Sequence, residues 1–106
     1  MKRILVVDDE KDALIILQKK LKSNNYDVNT AATGKEALVS AKSEKPDLML
    51  LDIMLPDTDA YTLISSLKED KSLKDVPVLL ITGKELVSNA IEQRVSEHGT
   101  DAGVGP

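Results

Sequence analysis

Asp47-Leu48-Met49-Leu50-Leu51-Asp52-Ile53-Met54-Leu55-Pro56-Asp57 is the stretch whose reading decides the fold. Four apolar residues run from Leu48 to Leu51 and stop at a carboxylate. A short apolar run bounded by turn residues suits a strand buried on both faces, although periodicity alone leaves a buried helix open. As a central parallel strand it places Asp52 at its carboxyl end, where open α/β sheets hold their ligands. A lone acid there proves little, because Asp also begins loops and caps helices. What else reaches the same edge decides whether Asp52 belongs to a site.

Upstream, Ile4 to Val7 is a second apolar run, and it too ends in acid, at Asp8 and Asp9. Leu14, Leu17 and Leu21 follow at helical spacing, with Lys19, Lys20 and Lys22 gathered where cations suit the negative end of a helix dipole. Asn24-Asn25 closes that helix as a turn. Asp27 to Ala31 alternates and reads as a strand near a sheet edge. Thr33-Gly34-Lys35-Glu36 is a capping box that opens a helix burying Ala37, Leu38 and Ala41, and Pro46 stops it.

Downstream, a helix near Asp59–Lys71 carries Leu63, Ile64 and Leu67 on one stripe. Val78 to Ile81 is a fourth apolar run, ending at Thr82-Gly83. A second capping box, Thr82 to Glu85, opens a helix with Leu86 or Val87, Ala90, Ile91 and Val95 inward. The last eight residues hold three Gly and one large apolar residue, a stub of a fifth strand. Such alternation of strand and helix predicts one α/β domain over 1–106, a parallel sheet with helices on both faces.

Composition narrows the function classes. The chain has 106 residues, enough for one domain and a modest core, with 42% apolar and 30% charged residues. Two Tyr and no Phe or Trp leave no aromatic platform for stacked bases. A net charge of −4 with scattered Lys and Arg argues against direct nucleic-acid binding. The absence of Cys excludes disulfides and thiolate metal sites. The apolar run after Met1-Lys2-Arg3 is too short for a signal peptide or a membrane span, so a cytoplasmic protein is expected.

In a parallel sheet all carboxyl ends lie on one edge. Asp8 and Asp9, Asp52 and Thr82 end three of the four apolar runs, and they converge if those strands are neighbours. Clustered carboxylates repel one another unless a cation neutralises them. With only oxygen donors on offer, Mg²⁺ is the natural ion. A carboxylate nucleophile forming an aspartyl-phosphate is established chemistry, and phosphoryl transfer asks mainly for positioning and charge stabilisation.

Val6-Val7-Asp8-Asp9, Leu51-Asp52-Ile53-Met54-Leu55-Pro56 and Ile81-Thr82-Gly83, in this order and at these separations, closely resemble the signatures of two-component response-regulator receiver domains. The resemblance implies a flavodoxin-like (βα)₅ fold with strand order 2-1-3-4-5. It implies that Asp52 accepts a phosphoryl group from a histidine kinase or phosphotransfer protein, and that the domain at most catalyses its own phosphorylation and dephosphorylation. Asp9, Asp52 and the backbone carbonyl of Met54 would bind Mg²⁺, with Asp8 assisting. Thr82 would hydrogen-bond the phosphoryl group as the switch hydroxyl, and an output protein would receive the signal. Structural alternatives stand beside these roles: Asp9 as the cap of the first helix, Thr82 as the cap of the last, and His98 as a helix-end residue.

The chain departs from the family pattern mainly at its end. The family's fifth strand ends in Lys-Pro, whereas the only late Pro here, Pro106, follows Gly105. Losing that Lys removes a charge-assisted hydrogen bond worth about 1.5–3 kcal/mol, and Lys84 and Lys11 do not match its position. Gly103 or Val104 stands where the family has an aromatic, and no residues remain for a fifth helix. Ala60 replaces a usual Gly, which would strain the loop if its φ were positive. The expectation is therefore an apolar patch beside the first helix and a homodimer or marginal stability. The competing function is a degenerate receiver that binds partners without phosphorylation. A nucleotide-binding protein would need Gly where Asp8 and Asp9 stand, and a Mg²⁺-dependent phosphatase would need an acid at Met54.

Overall fold

The structure is a computed structural model and describes residues 2–81. Strand and helix alternate as β1 (Arg3–Val7), α1 (Lys11–Ser23), β2 (Asp27–Ala31), α2 (Gly34–Ser43), β3 (Leu48–Asp52), α3 (Ala60–Glu69) and β4 (Val78–Ile81). The strands form one parallel sheet in the order β2-β1-β3-β4. The expected order over the first four strands is met. The expected fifth strand, the helix after Thr82 and His98 lie outside the described residues.

The two inner strands are apolar from Ile4 to Val7 and from Leu48 to Leu51 because both of their faces are covered there. Ile4 and Val6 of β1 and Leu48 and Leu50 of β3 point to one side, where they pack with Leu17 and Leu21 of α1. Leu5, Val7, Met49 and Leu51 point to the other side, against Ala37 and Ala41 of α2 and Leu63 and Leu67 of α3. The period of two in the strands and of 3.6 in the helices thus sorts one apolar set into two layers. Outer strand β2 keeps only Val28 and Ala31 buried, one on each face of the sheet, which fits its more polar sequence.

Helix ends follow local chemistry. Asn24 and Asn25 close α1 by donating their backbone N–H groups to the carbonyls of Leu21 and Lys22 respectively, and Asn25 takes a left-handed φ of 69°, a conformation Asn tolerates better than most residues. In α3, Asp59 is the N-cap and accepts from the Thr62 N–H at 2.7 Å. Ala60 opens that helix fully buried, and Asn25 is the one non-Gly residue with positive φ among the described residues. The strain anticipated at Ala60 therefore does not arise, because the position is helical. Leu73 and Val76, unassigned from the sequence, are buried in the connection to β4, whose turn is held by Asp70 accepting from Ser72.

At the opposite end of the sheet from the strand carboxyl termini, Arg3 joins three segments. Its guanidinium meets Asp27 of β2 at 2.7 Å and Glu44 after α2 at 3.1 Å. Its backbone N–H donates to Asp47, just before β3, at 2.7 Å. The Asp27 hydrogen bond, before any other influence, raises the Arg3 pKa.

Candidate functional site

Register brings the acids together. Val7 lies beside Leu51 across the β1–β3 pair, so the next residues, Asp8 and Asp52, stand at the same level at the carboxyl end of the sheet. The pleat turns them to one side as well, since each lies an even number of residues from the Ile4–Val6 and Leu48–Leu50 set. Asp8, Asp9 and Asp52 each offer a carboxylate oxygen, and these oxygens lie within 4.8 Å of one another. Asp8 is 2% exposed and forms the floor, Asp52 is half-buried, and Asp9 is exposed at the rim.

The turn after β1 holds this arrangement. The Asp8 N–H extends the β1–β2 ladder by donating to the Ala31 carbonyl at 3.0 Å. Its Oδ1 accepts from the Glu10 N–H, also at 3.0 Å, which tightens the entry to α1. Glu10, not Asp9, is the N-cap of α1, and its side chain makes no cap hydrogen bond. The capping alternative for Asp9 is thereby removed. The acids also stand at the amino end of α1, where the helix dipole favours negative charge.

The donor set fits a hard divalent cation. It contains oxygen alone, and an octahedral Mg²⁺ with oxygens at about 2.1 Å spaces them by about 3–4.2 Å. A spread within 4.8 Å meets this after a small adjustment. Met54 follows two residues after Asp52, and its side chain is 67% exposed. It forms an antiparallel bridge with Asp59, but the two hydrogen bonds of that bridge come from its neighbours: Leu55 N–H to Thr58, and Ala60 N–H to Ile53. In such a pair the residue's own carbonyl points away from the bridge. Lys11 opens α1 and is exposed. Thr82 and Lys84 lie outside the described residues.

One residue of the β3–α3 loop escaped the sequence reading. Asp57 accepts from the N–H of Gly34 at 2.8 Å and of Lys35 at 3.1 Å, across from the loop tip to the start of α2. The Thr33 hydroxyl accepts from the Glu36 N–H at 3.1 Å, so the first three N–H groups of the helix are all satisfied. Glu36 completes the capping box one residue early, by accepting from the Ala32 N–H. Chiefly the Gly34 hydrogen bond, with Lys35 adding to it, holds the Asp57 carboxyl below its ordinary pKa. The signal was available in part: a capping Thr satisfies one N–H and leaves two others seeking an acceptor. Which acid would arrive is a matter of tertiary placement.

The structure is thus a parallel α/β sheet with helices on both faces and a three-acid pocket at the carboxyl ends of its inner strands, where open sheets of this class place their ligands. The chain belongs to the response regulator receiver domain family, whose model matches residues 4–101. It is a receiver domain of two-component phosphorelay signalling. It is similar to the alkaline phosphatase synthesis transcriptional regulatory protein PhoP of Bacillus subtilis, 45% identical over 79% of this chain and 34% of that protein. Response regulator PleD of Caulobacter vibrioides is 44% identical over 76% of this chain and 18% of its own length. The chain thus spans about a third or less of these curated relatives. Among solved structures, the N-terminal domain of a response regulator receiver protein from Methanoculleus marisnigri superposes with a TM-score of 0.76 at 33% identity, covering 93% of this chain and 77% of that one. The chemotaxis response regulator CheY4 of Vibrio cholerae gives 0.75 at 25% identity, covering 97% and 81%.

Proposed function

We propose that Asp52 is the phosphoacceptor and that Asp9, Asp52 and the Met54 carbonyl hold Mg²⁺, with Asp8 assisting from the floor. The observation that carries this is the meeting of three carboxylates from two strands within 4.8 Å, in a chain of this family. Bound there, the ion supplies positive charge to the acids and to the incoming phosphoryl oxygens. An Asp52 oxygen attacks phosphorus, the bond to the donor's histidine nitrogen breaks, and its electron pair stays on the imidazole. The product is an acyl phosphate on Asp52. Asp8, buried and hydrogen-bonded to the Glu10 N–H, keeps the turn that aims Asp9. Thr82 would donate its hydroxyl to the phosphoryl group and rearrange on phosphorylation.

The donor is a histidine kinase or phosphotransfer protein, and the signal passes to an output partner from one receiver unit over 1–106, in the cytoplasm. Among the described residues no helix is long and apolar enough to cross a membrane. The intact acid set favours phosphorylation over partner binding without it. Incubation with acetyl phosphate and Mg²⁺, read by intact mass, tests the proposal. One phosphoryl group is expected on the parent and none on Asp52→Asn or in chelator. An adduct that survives Asp52→Asn, or no adduct on a folded parent, would overturn it. Light scattering tests the expected self-association.

A further inference from the structure

Asp57 belongs to neither the acid cluster nor a local cap of its own helix, yet it spans two elements. The loop between Asp52 and α3 is a small closed unit, because the Met54–Asp59 bridge ties its two arms. Leu55 buries one side of that unit, being 7% exposed. Its tip is fastened to α2 by the two hydrogen bonds from Gly34 and Lys35 to the Asp57 carboxylate. The fastening is close-fitting: a Cβ added at Gly34 would overlap the Thr58 Cγ2 and stand 3.4 Å from Asp57 Oδ1. With the Thr58 methyl in place, the absence of a side chain at Gly34 is what lets the loop tip come so near the helix.

We infer that Asp57 is a positioning residue for the metal site, clamping the β3–α3 loop to α2 so that the Met54 carbonyl and Asp52 keep their places. The inference rests on the reading of the site given above. A closed loop fixed at Leu55 and at its tip cannot slide, and Met54 lies on the arm between those anchors and Asp52. Releasing the tip leaves the Leu55 anchor, so binding weakens without being lost. Groups hydrogen-bonded directly to a metal ligand change affinity by about 10–100-fold when removed, and a clamp one step further out is worth about 3–10-fold.

The test is Mg²⁺ affinity of the 106-residue chain, measured by calorimetry or by amide shifts in an NMR titration. Asp57→Ala is expected to weaken binding by about 3–10-fold, with Asp57→Asn in between because it keeps one acceptor oxygen. Gly34→Ala, which alters no acid, is expected to weaken binding similarly by pushing the loop away. Adding Thr58→Ser removes the methyl in its path and restores the affinity, which a merely structural role for Asp57 would not require. In metal-free protein, amide exchange at Gly34 and Lys35 speeds up in Asp57→Ala. If Asp57→Ala fails to fold, the Asp57→Asn, Gly34→Ala and Gly34→Ala with Thr58→Ser variants decide. Parent-like affinity in the Asp57 and Gly34 variants, beside a parent whose binding depends on Asp52, overturns the clamp alone. A parent whose Mg²⁺ binding does not depend on Asp52 overturns the site and the clamp with it.

Discussion

Asp52→Asn makes the metal-free domain more stable while removing its response to Mg²⁺. Asn has the shape of Asp without its charge, so the packing around β3 is kept. The three carboxylate oxygens lie within 4.8 Å of one another. At that distance two unit charges repel by about 0.9 kcal/mol with water-like screening and about 3.5 kcal/mol at an effective dielectric constant of about 20. Asp52 is half-buried and Asp9 exposed, which places the screening between those limits. Relief of the Asp52 repulsions, offset by the polar contacts Asn makes less well than Asp, leaves a gain of about 1–3 kcal/mol. The assay is urea unfolding of parent and variant, in chelator and in Mg²⁺. In chelator the variant's midpoint is higher, and the gap narrows as salt shortens the Debye length from about 10 Å at 0.1 M to about 3 Å at 1 M. At about 100 times its dissociation constant, Mg²⁺ adds about 2.7 kcal/mol to the parent, so the order closes or inverts. A metal-free variant no more stable than the parent would show that the acids do not stand together. A parent midpoint indifferent to Mg²⁺ would refute the metal site.

Three further outcomes follow from the packing and the caps. Leu50→Ala, at a fully buried position of inner strand β3, costs about 2–5 kcal/mol in urea unfolding, with the larger values if the cavity does not collapse. Thr33→Ala leaves the Glu36 N–H without its acceptor and costs about 0.5–2 kcal/mol, whereas Thr33→Ser is nearly neutral; thermal melts separate the two. Asp57, Asp59 and Asp70 all have pKa values lowered by hydrogen bonds, first from Gly34, from Thr62 and from Ser72 respectively. Their contribution to stability is thus full above the unfolded Asp value of about 3.9, declines below it, and is gone once pH has fallen through the folded values. Replacing the three by Asn flattens the acid limb of the stability curve measured by circular dichroism.

Much of the fold was legible because the apolar runs are short and clean. Val78–Ile81 and Asp27–Ala31 were bounded to the residue, and β1 and β3 each proved one residue longer than their apolar runs, at Arg3 and Asp52. Both extensions are polar residues that continue a ladder, which a hydrophobic pattern does not register. Leu73 and Val76 were missed for a different reason: they are buried singly in a turn-rich connection, and two isolated apolar residues carry no period.

What the chain alone determined is the kind of chemistry: oxygen donors, no thiolates, and acids placed at strand ends, in an order that matches one family. Those are properties of residue type and spacing, and they survive any arrangement of the strands. Only the tertiary structure decided that the acids meet, because a common pocket depends on β1 lying beside β3 with Val7 level with Leu51. It alone separated the roles of Asp8, buried as the floor, and Asp9, exposed at the rim and not a cap. It alone sent Asp57 to α2, across 23 residues of sequence. A hydrogen bond of that span follows from how layers pack, and no local pattern of residues encodes it.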